Sequence, residues 1–378
     1  GQIDEDNNGI SGIEKSFDKQ LKLKKKNLIL TLDKDLQFII RNELVNAQKI
    51  FKNVGGAGIL MNIDNGEILS LVSLPDFNLN KRENISDVNY INRATKGVYE
   101  LGSVFKSFTI AAGLDYGLIK PKDMFFNLKK KMKCGGRTIS EYDENLPNDL
   151  SVEDILIYSS NIGSVKISQI IGEEKLKRFL EKIGILKKLN FDIDEIGKPI
   201  SFKWRECKLK TISYGHGITT TPIQLAKGYA ILANGGYDVN PTLVKRDIVQ
   251  KKKRILNKNV SSQINQIFRK VVKYGTATLS DVEGYEVGGK TGTAQIVKNG
   301  SYTNKKINTF ASVFPSSNPK YVLIVLLEDT KLSKNYVYKY RNKPGTFKGT
   351  PFNTAGWTSV EVSGKIIDKI GPILATKY

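Results

Sequence analysis

The distribution of strand and helix patterns constrains the fold of this chain more than any other sequence feature. Residues 57–63 and 67–72 are two strand-like runs separated by Asp64-Asn65-Gly66, and Asn-Gly permits the positive φ angles of a tight hairpin turn. Three further strand patterns come only near the other end, at 285–297, 308–314 and 321–328. We therefore predict an α/β (α+β) fold in which distant segments complete one antiparallel sheet flanked by helices.

The middle of the chain, from about 121 to 236, has mainly helical patterns. Ser151 and Asp154 form a capping-box pattern at the start of one helix. Helical periodicity resumes over 163–185 and again over 221–234, where Pro222 suits a first turn. This part is predicted to be a helical lobe inserted between the two groups of strands.

The remaining segments complete the predicted organisation. Residues 1–26 are polar, end in a lysine run and are predicted to be a connector rather than a core element, whereas 27–378 is predicted to be one domain. A short strand is expected at 28–32, followed by a helix capped by Asp33. A closing helix is expected from about 358 to 370. Residues 120–148 are predicted to be irregular.

The formal charge of +21 comes mainly from lysine, since only ten of the 59 basic residues are Arg. Phosphate-clamping surfaces favour Arg, and no basic groove interleaved with aromatic residues is evident, so nucleic acid is not an expected partner. Two explanations of the lysine-rich charge remain. One is AT-rich coding, and the other is attraction to anionic lipid or wall polymer. One His and two Cys argue against a zinc site, and no cofactor is expected. Cys134 and Cys207 could be free thiols or one disulfide.

No apolar stretch approaches the roughly 20 residues that a membrane helix requires. The longest, Tyr321–Leu327, has the length of a core strand. The chain also has no initiating Met and no signal-peptide pattern. We therefore expect it to be a segment of a longer protein.

Ser103 and Lys106 are the first candidates for catalysis. Gly102 can make a sharp turn into a helix that begins at Ser103 and is apolar on nearly every side. Lys106 lies one turn along on the same face, so its amine can reach the Ser103 hydroxyl. A buried lysine with a lowered pKa can take the proton of a serine nucleophile. A helix cap followed by a surface lysine would give the same pattern, so the pair needs support from other motifs.

Two later motifs give that support. Ser159-Ser160-Asn161 stands at a helix end, where such residues are also common for structural reasons. Lys290-Thr291-Gly292-Thr293 follows Gly288-Gly289 on a predicted strand, where small residues let a ligand backbone come close. The strand period places the hydroxyls of Thr291 and Thr293 on one face.

In this order the three motifs resemble the Ser-x-x-Lys, Ser-x-Asn and Lys-Thr-Gly set of penicillin-recognising serine enzymes. The resemblance is to class B penicillin-binding proteins, the monofunctional transpeptidases of wall elongation and cell division, and it covers the chain from Gly1 to about Ile370. Five further segments carry it: Gly12–Asp18, Asn92–Ala94, Ser213–Gly217, Thr221–Ala226 and Gly275–Ala277. The chain departs from the family pattern at Leu101 and Val104, where Pro and Thr are usual.

The resemblance implies the fold of penicillin-binding transpeptidases and serine β-lactamases. It implies D,D-transpeptidation through an acyl-enzyme on Ser103. Lys106 would be the base, Ser159 a proton relay, and Asn161 a holder of Lys106 and substrate. Lys290, Thr291, Gly292 and Thr293 would bind the substrate carboxylate, and the backbone N–H groups of Ser103 and Thr293 would form the oxyanion hole.

The resemblance also implies partners and a location. The expected substrates are peptidoglycan stem peptides of a lipid-linked precursor, and β-lactams are the expected covalent inhibitors. A membrane glycosyltransferase of the wall-synthesis complex is an expected partner. The domain would face the periplasm on a membrane anchor that this chain lacks, with residues 1–26 as the end of a pedestal domain.

Two alternatives differ from this interpretation. A class A β-lactamase would need a Glu-x-x-Leu-Asn segment to activate the deacylating water, and no such segment follows Ser103. A β-lactam sensor or a scaffold of wall synthesis would be acylated without turnover, but sensor domains lack the Gly12–Asp18 connector.

Overall fold

The computed structural model describes residues 1–23, 27–78, 91–246, 253–298 and 300–378. The end of the predicted connector, 24–26, lies outside these ranges. The strands are β1 (Gln2–Ile3), β2 (Gly9–Ser11), β3 (Gly55–Asn62), β4 (Ile68–Leu74), β5 (Met124–Phe125), β6 (Lys131–Cys134), β7 (Arg137–Ser140), β8 (Leu150–Ser151), β9 (Gly288–Lys298), β10 (Ser301–Phe314), β11 (Tyr321–Glu328), β12 (Val337–Lys339) and β13 (Thr346–Lys348).

The helices connect and cover these strands. They are α1 (Gly12–Ser16), α2 (Asp18–Leu23), α3 (Lys34–Phe51), α4 (Lys106–Asp115), α5 (Val152–Ile157), α6 (Asn161–Ile171), α7 (Glu173–Lys182), α8 (Glu206–Ile212), α9 (Pro222–Ala233), α10 (Lys258–Tyr274) and α11 (Ser359–Lys377). Short 3-10 turns occur at Gly102–Phe105, Thr278–Ser280 and Ala355–Trp357. Among the described residues, the helices are too short or too polar to cross a membrane.

The central sheet has five antiparallel strands in the order β4-β3-β11-β10-β9. Early and late segments meet where β3 pairs with β11, as in the pair Ile59 and Ile324. Helices α3 and α11 pack on one face of the sheet, and α9 and α10 on the other. Every residue of β3 and β11 except the last is buried, because both faces are covered. The predicted sheet of distant segments is therefore confirmed, and it leaves β9 at the edge.

Local signals in the sequence locate most of these elements. The carboxylate of Asp33 accepts from two amides at the start of α3, as a cap should. Ser151 and Asp154 form both bonds of the capping box. The predicted hairpin is β3 and β4, and the strand at Tyr321–Glu328 has the predicted bounds.

Several predicted elements need correction. Residues 28–32 form only an isolated bridge at Leu30, because two backbone bonds, from the Thr31 amide to Leu243 and from the Lys245 amide to Ile29, are too few for a ladder. The helix pattern over 163–185 is split into α6 and α7 by Gly172, whose φ of 78° belongs to no helix. The irregular stretch 120–148 contains the hairpin of β6 and β7.

The other predicted bounds shift more modestly. The strand expected at 285–297 begins only at Gly288, since Glu286 has a φ of 44°. The strand expected at 308–314 starts at Ser301, and the closing helix continues past 370 to Lys377. The segment 121–236 holds α5 to α9 together with short strands, and its treatment as a lobe stays a prediction.

A disulfide joins the hairpin of β6 and β7 to α8. Of the two possibilities left by the sequence, Cys134 and Cys207 form the bond, with Cα atoms 5.5 Å apart. The described part of the connector contacts the body of the protein through Gly12, whose amide donates to the Glu195 carboxylate at 2.9 Å. Neither α1 nor α2 contains a buried residue, and the connecting role of this segment stays a prediction.

Candidate active site

Ser103 lies in the 3-10 turn that leads into α4. The predicted helix start at Ser103 is therefore a tighter turn, and the α-helix begins at Lys106. Ser103 is half-buried, whereas Lys106 is fully buried. The Lys106 Nζ atom lies 3.0 Å from Ser103 Oγ, as the i to i+3 spacing predicts.

Two glycines let the main chain pack closely around this turn. Gly102 has a φ of 61°, and a Cβ there would lie 2.7 Å from the carbonyl oxygen of Thr293. Gly215 has a φ of 87°, and a Cβ there would lie 2.0 Å from the carbonyl oxygen of Gly102. The backbone of β9 and the backbone of the loop after α8 therefore meet at the turn Gly102–Phe105, where a residue with a side chain does not fit at either glycine.

The Lys106 amine joins the first motif to the second. Besides Ser103, Nζ contacts Ser159 Oγ at 3.0 Å, the Ser159 carbonyl at 2.5 Å and Asn161 Oδ1 at 2.7 Å. Burial lowers the pKa of Lys106 to about 7, against an opposing effect of the Glu141 carboxylate. Near neutral pH a substantial fraction of this amine is uncharged and able to accept a proton.

The second motif lies between α5 and α6. Ser160 caps α6, and Asn161 is its first residue. Ser159, just before the cap, has a φ of 62°, which is uncommon for a residue other than glycine and is frequent at functional sites. This conformation brings the side chain of Ser159 to both lysine amines.

Lys290 extends from the edge strand β9 and is fully buried. Its Nζ atom lies 2.9 Å from Ser159 Oγ and 3.3 Å from Thr291 Oγ1. Burial and the nearby charge of Lys106 hold the pKa of Lys290 well below its usual range. Ser159 therefore bridges two amines that disfavour each other's charge.

The two threonine hydroxyls of the third motif have different partners. Thr291 Oγ1 lies 2.6 Å from Thr276 Oγ1, in one of the segments that carry the resemblance. Thr293 Oγ1 donates to Asn308 Oδ1 at 3.0 Å and accepts from the amide of Ala355 at 2.9 Å. The sequence predicts both hydroxyls as ligand donors, and in the structure both have partners within the protein, with the Thr293 hydroxyl donating to Asn308.

Gly292, between these threonines, is where β9 approaches the turn that carries Ser103. A Cβ at this position would lie 2.2 Å from the Leu101 carbonyl oxygen. All eight side-chain and backbone positions predicted for the site thus meet around Ser103, although they come from three separate parts of the sequence.

Sequence reasoning missed three contributors to this site. Glu141 accepts from Ser160 and from the first amides of α6, and no local pattern marks it. Asn308 is buried on β10, directly opposite Thr293. His216 carries the only imidazole of the chain, and burial together with the charge of Lys106 lowers its pKa to about 4, so it is neutral at pH 7. The sequence singled out the segment Ser213–Gly217, which contains His216, only through the family resemblance.

In the described ranges, His, Cys, Asp and Glu side chains do not gather in groups of three or more that could hold a metal ion.

Known proteins resemble this chain over most of its length. Residues 56–348 match the family model described as the penicillin binding protein transpeptidase domain. A Caulobacter vibrioides protein named probable peptidoglycan D,D-transpeptidase FtsI is 28% identical over 396 residues, which cover all of this chain and 64% of that protein. The peptidoglycan D,D-transpeptidase FtsI of Buchnera aphidicola is 32% identical, with 88% of this chain and 63% of that protein covered. The chain thus spans less than two thirds of the length of these relatives.

Solved structures resemble it as well. The transpeptidase domain of Burkholderia pseudomallei penicillin-binding protein 3 superposes with a TM-score of 0.77 at 25% identity, covering 91% of this chain and 96% of that one. Penicillin-binding protein 3 of Mycobacterium tuberculosis superposes with a TM-score of 0.84 at 23% identity, covering 98% of this chain and 88% of that one. At this identity the likeness is one of fold. The predicted fold class, that of penicillin-binding transpeptidases and serine β-lactamases, is confirmed.

Proposed function

The chain belongs to the penicillin-binding protein transpeptidase family, and from this premise we propose that it is the catalytic domain of a peptidoglycan D,D-transpeptidase with Ser103 as nucleophile. The observation that carries the proposal is the buried amine of Lys106, 3.0 Å from Ser103 Oγ, with a pKa lowered to about 7. Such an amine is a base matched to neutral pH, beside the one side chain that it would activate.

In the proposed acylation, Lys106 takes the Ser103 proton while Oγ attacks the carbonyl carbon between the two terminal D-alanines of a stem peptide. The new bond between Oγ and carbon places negative charge on the carbonyl oxygen. The backbone N–H groups of Ser103 and Thr293 are proposed to stabilise that charge, an effect typically worth about 3 kcal/mol. In support, a Cβ on Gly102 would lie 3.3 Å from the Thr293 nitrogen, so the two segments are close.

The bond to the leaving nitrogen then breaks. Ser159 relays a proton from Lys106 to that nitrogen, and D-alanine leaves. The distance of 3.0 Å between Ser159 Oγ and Lys106 Nζ supports this relay. An amine from a neighbouring stem attacks the acyl-enzyme, its proton returns to Ser103 through Lys106, and the cross-link is released. Asn161 holds the Lys106 amine through Oδ1 and keeps one amide N–H for the substrate, because the other donates to the Ser140 carbonyl.

The substrate carboxylate is proposed to bind at the third motif. Lys290 supplies a cation when protonated, and Thr291 supplies a hydroxyl beside it. Gly292 allows the close approach of the peptide, and Thr293 contributes its backbone. The hydroxyl of Thr293 would reach the carboxylate only by exchanging its bond to Asn308.

We also propose the substrate, inhibitors, partner and location of this activity. The acyl donor is the stem peptide of a lipid-linked precursor, β-lactams are covalent inhibitors, and a membrane glycosyltransferase supplies the glycan strands. The longer protein is anchored in the cell membrane with this domain in the periplasm. The relatives named as peptidoglycan D,D-transpeptidases support the peptidoglycan substrate.

Intact-mass spectrometry of the protein after exposure to benzylpenicillin tests the proposal. We expect one added penicilloyl mass that persists for many minutes to hours, because a water attacking the Ser103 ester has no Glu-x-x-Leu-Asn carboxylate to activate it. Incubation with D-Ala-D-Ala stem peptides and an acceptor amine should release D-alanine and form the cross-linked product. Rapid penicillin hydrolysis without an adduct would instead assign a β-lactamase, and a stable adduct without peptide turnover would assign a sensor or a scaffold.

A further inference from the structure

Glu141 follows directly after β7 and accepts three hydrogen bonds, two from the second motif and one from the next residue, Ile162. Its Oε1 atom accepts from Ser160 Oγ at 2.5 Å and from the Ile162 amide at 3.0 Å. Its Oε2 atom accepts from the Asn161 amide at 2.7 Å. Both carboxylate oxygens are therefore bonded to the first turn of α6, where free amides and the helix dipole favour a negative charge.

The residue before Glu141 reinforces this arrangement. The Ser140 carbonyl accepts from Asn161 Nδ2 at 2.8 Å, which leaves Asn161 Oδ1 directed at the Lys106 amine, 2.7 Å away. Main chain and side chain of Asn161 are thus held by two successive residues. Because an amide with both ends bonded has one orientation, this contact decides which Asn161 atom faces Lys106.

The segment that carries Glu141 is itself fixed at two places. The Glu141 amide donates to the Lys130 carbonyl at 2.9 Å, which closes the base of the β6 and β7 hairpin. At its other end, Cys134 is bonded to Cys207 on α8. Glu141 is therefore presented by an anchored hairpin even though it lies outside the regular strands.

Glu141 also acts on Lys106 by its charge. Within the described ranges, three titratable groups interact electrostatically with the Lys106 amine: Glu141 from the end of the hairpin, Lys290 from β9 and His216 from the loop after α8. Glu141 is the group that raises the pKa of Lys106, while burial lowers it. The pKa of about 7 thus balances the burial of the amine against this carboxylate.

We propose that Glu141 is a positioning residue of the acylation reaction, which fixes Asn161 against Lys106 and supplies the negative charge opposite the Lys106 amine. This inference rests on the proposed function. It extends the site to a residue outside the three motifs, and it assigns the β6 and β7 hairpin a role in acylation.

The test measures the second-order rate of acylation by a fluorescent penicillin across pH for Glu141→Gln. This variant loses the charge and one of the two acceptor oxygens, so we expect the rate to fall about 10- to 100-fold. The midpoint of the rise of the rate with pH should move down by about one pH unit, because a favourable charge is removed from the ammonium form of Lys106. Glu141→Asp keeps the charge and should restore the midpoint.

Glu144→Gln is the matched control, since Glu144 is an exposed glutamate of the same segment whose carboxylate lies 3.5 Å from Lys131. It should leave the rate and the midpoint unchanged. A rate for Glu141→Gln equal to wild type, or a loss of rate with an unmoved midpoint, overturns the proposal. Failure of the wild-type protein to be acylated would instead overturn the proposed function, so the two failures are distinguishable.

Discussion

Nζ of Lys290 lies 2.9 Å from Oγ of Ser159. Because the same Oγ atom is 3.0 Å from the Lys106 amine, a single hydroxyl joins the cation proposed for the carboxylate to the base proposed for the nucleophile. Both amines are fully buried, so charging both at once is costly. We infer that they titrate as a coupled pair and that a substrate carboxylate at Lys290 would alter the protonation of Lys106.

Ser103→Ala should abolish covalent labelling by penicillins. The substitution removes the attacking oxygen and leaves the packing of the turn nearly unchanged, since Ser103 is only half-buried. Intact-mass spectrometry reads the labelling, and the thermal midpoint checks the fold. Ser107→Ala, on the same helix, is the control and should keep the adduct. An adduct on the Ser103→Ala protein would refute the nucleophile assignment.

Acylation should rise with pH through a midpoint near 7. The pKa of Lys106 is about 7, and its ammonium form cannot accept the Ser103 proton. The rate should therefore fall about tenfold per pH unit below the midpoint and level off above it. Stopped-flow acylation across this range measures the profile, with circular dichroism as a check that the fold persists. A flat profile would contradict a lysine base.

Lys106→Ala and Lys290→Ala should differ in their dependence on substrate. Loss of the base should slow acylation by about 10²- to 10⁴-fold whatever the acyl donor. Loss of Lys290 removes the proposed carboxylate partner, so donors without a carboxylate should be affected less. Rates for a carboxylated donor and its amide or ester analogue make the comparison. Equal losses on both donors for the two variants would show that the roles are wrongly assigned.

Removal of the disulfide should lower stability and acylation together. The bond between Cys134 and Cys207 closes a separation of 73 residues, for which the chain-entropy model gives about 4 kcal/mol. Cys134→Ser/Cys207→Ser should therefore unfold at lower urea concentration. It should also react more slowly with penicillin, because the hairpin that presents Glu141 loses an anchor. Wild type under reductant should behave like the variant, and an unchanged urea midpoint would contradict this prediction.

Sequence reasoning predicted the parts of the fold that depend on local signals. Asp33 and Ser151 mark helix starts through bonds to amides a few residues away. Asn65-Gly66 marks a tight turn, because few residue pairs tolerate its backbone angles. The three motifs are likewise short, and their order identifies the family. The structure brings their side chains within hydrogen-bond distance of one another.

The parts that could not be predicted depend on contacts between distant residues. Glu141 lies 20 residues before its partner Asn161, in a stretch whose composition resembles a loop. The bond between Thr293 and Asn308 arises from the register of β9 on β10, which periodicity leaves open. Residues 28–32 have a strand composition, but strands need a partner, and the sequence does not show which one is available.

The close packing of Gly102 and Gly215 bears on the ways in which such a protein could escape inhibition. Any side chain at either glycine would displace the main chain at the turn that carries Ser103. Because the proposed mechanism uses that turn for penicillins and stem peptides alike, substitutions here would forfeit the proposed cross-linking activity together with drug sensitivity. Under antibiotic selection these two positions should stay invariant. Adaptive changes should instead accumulate at side chains around the site, where the two ligands differ in shape.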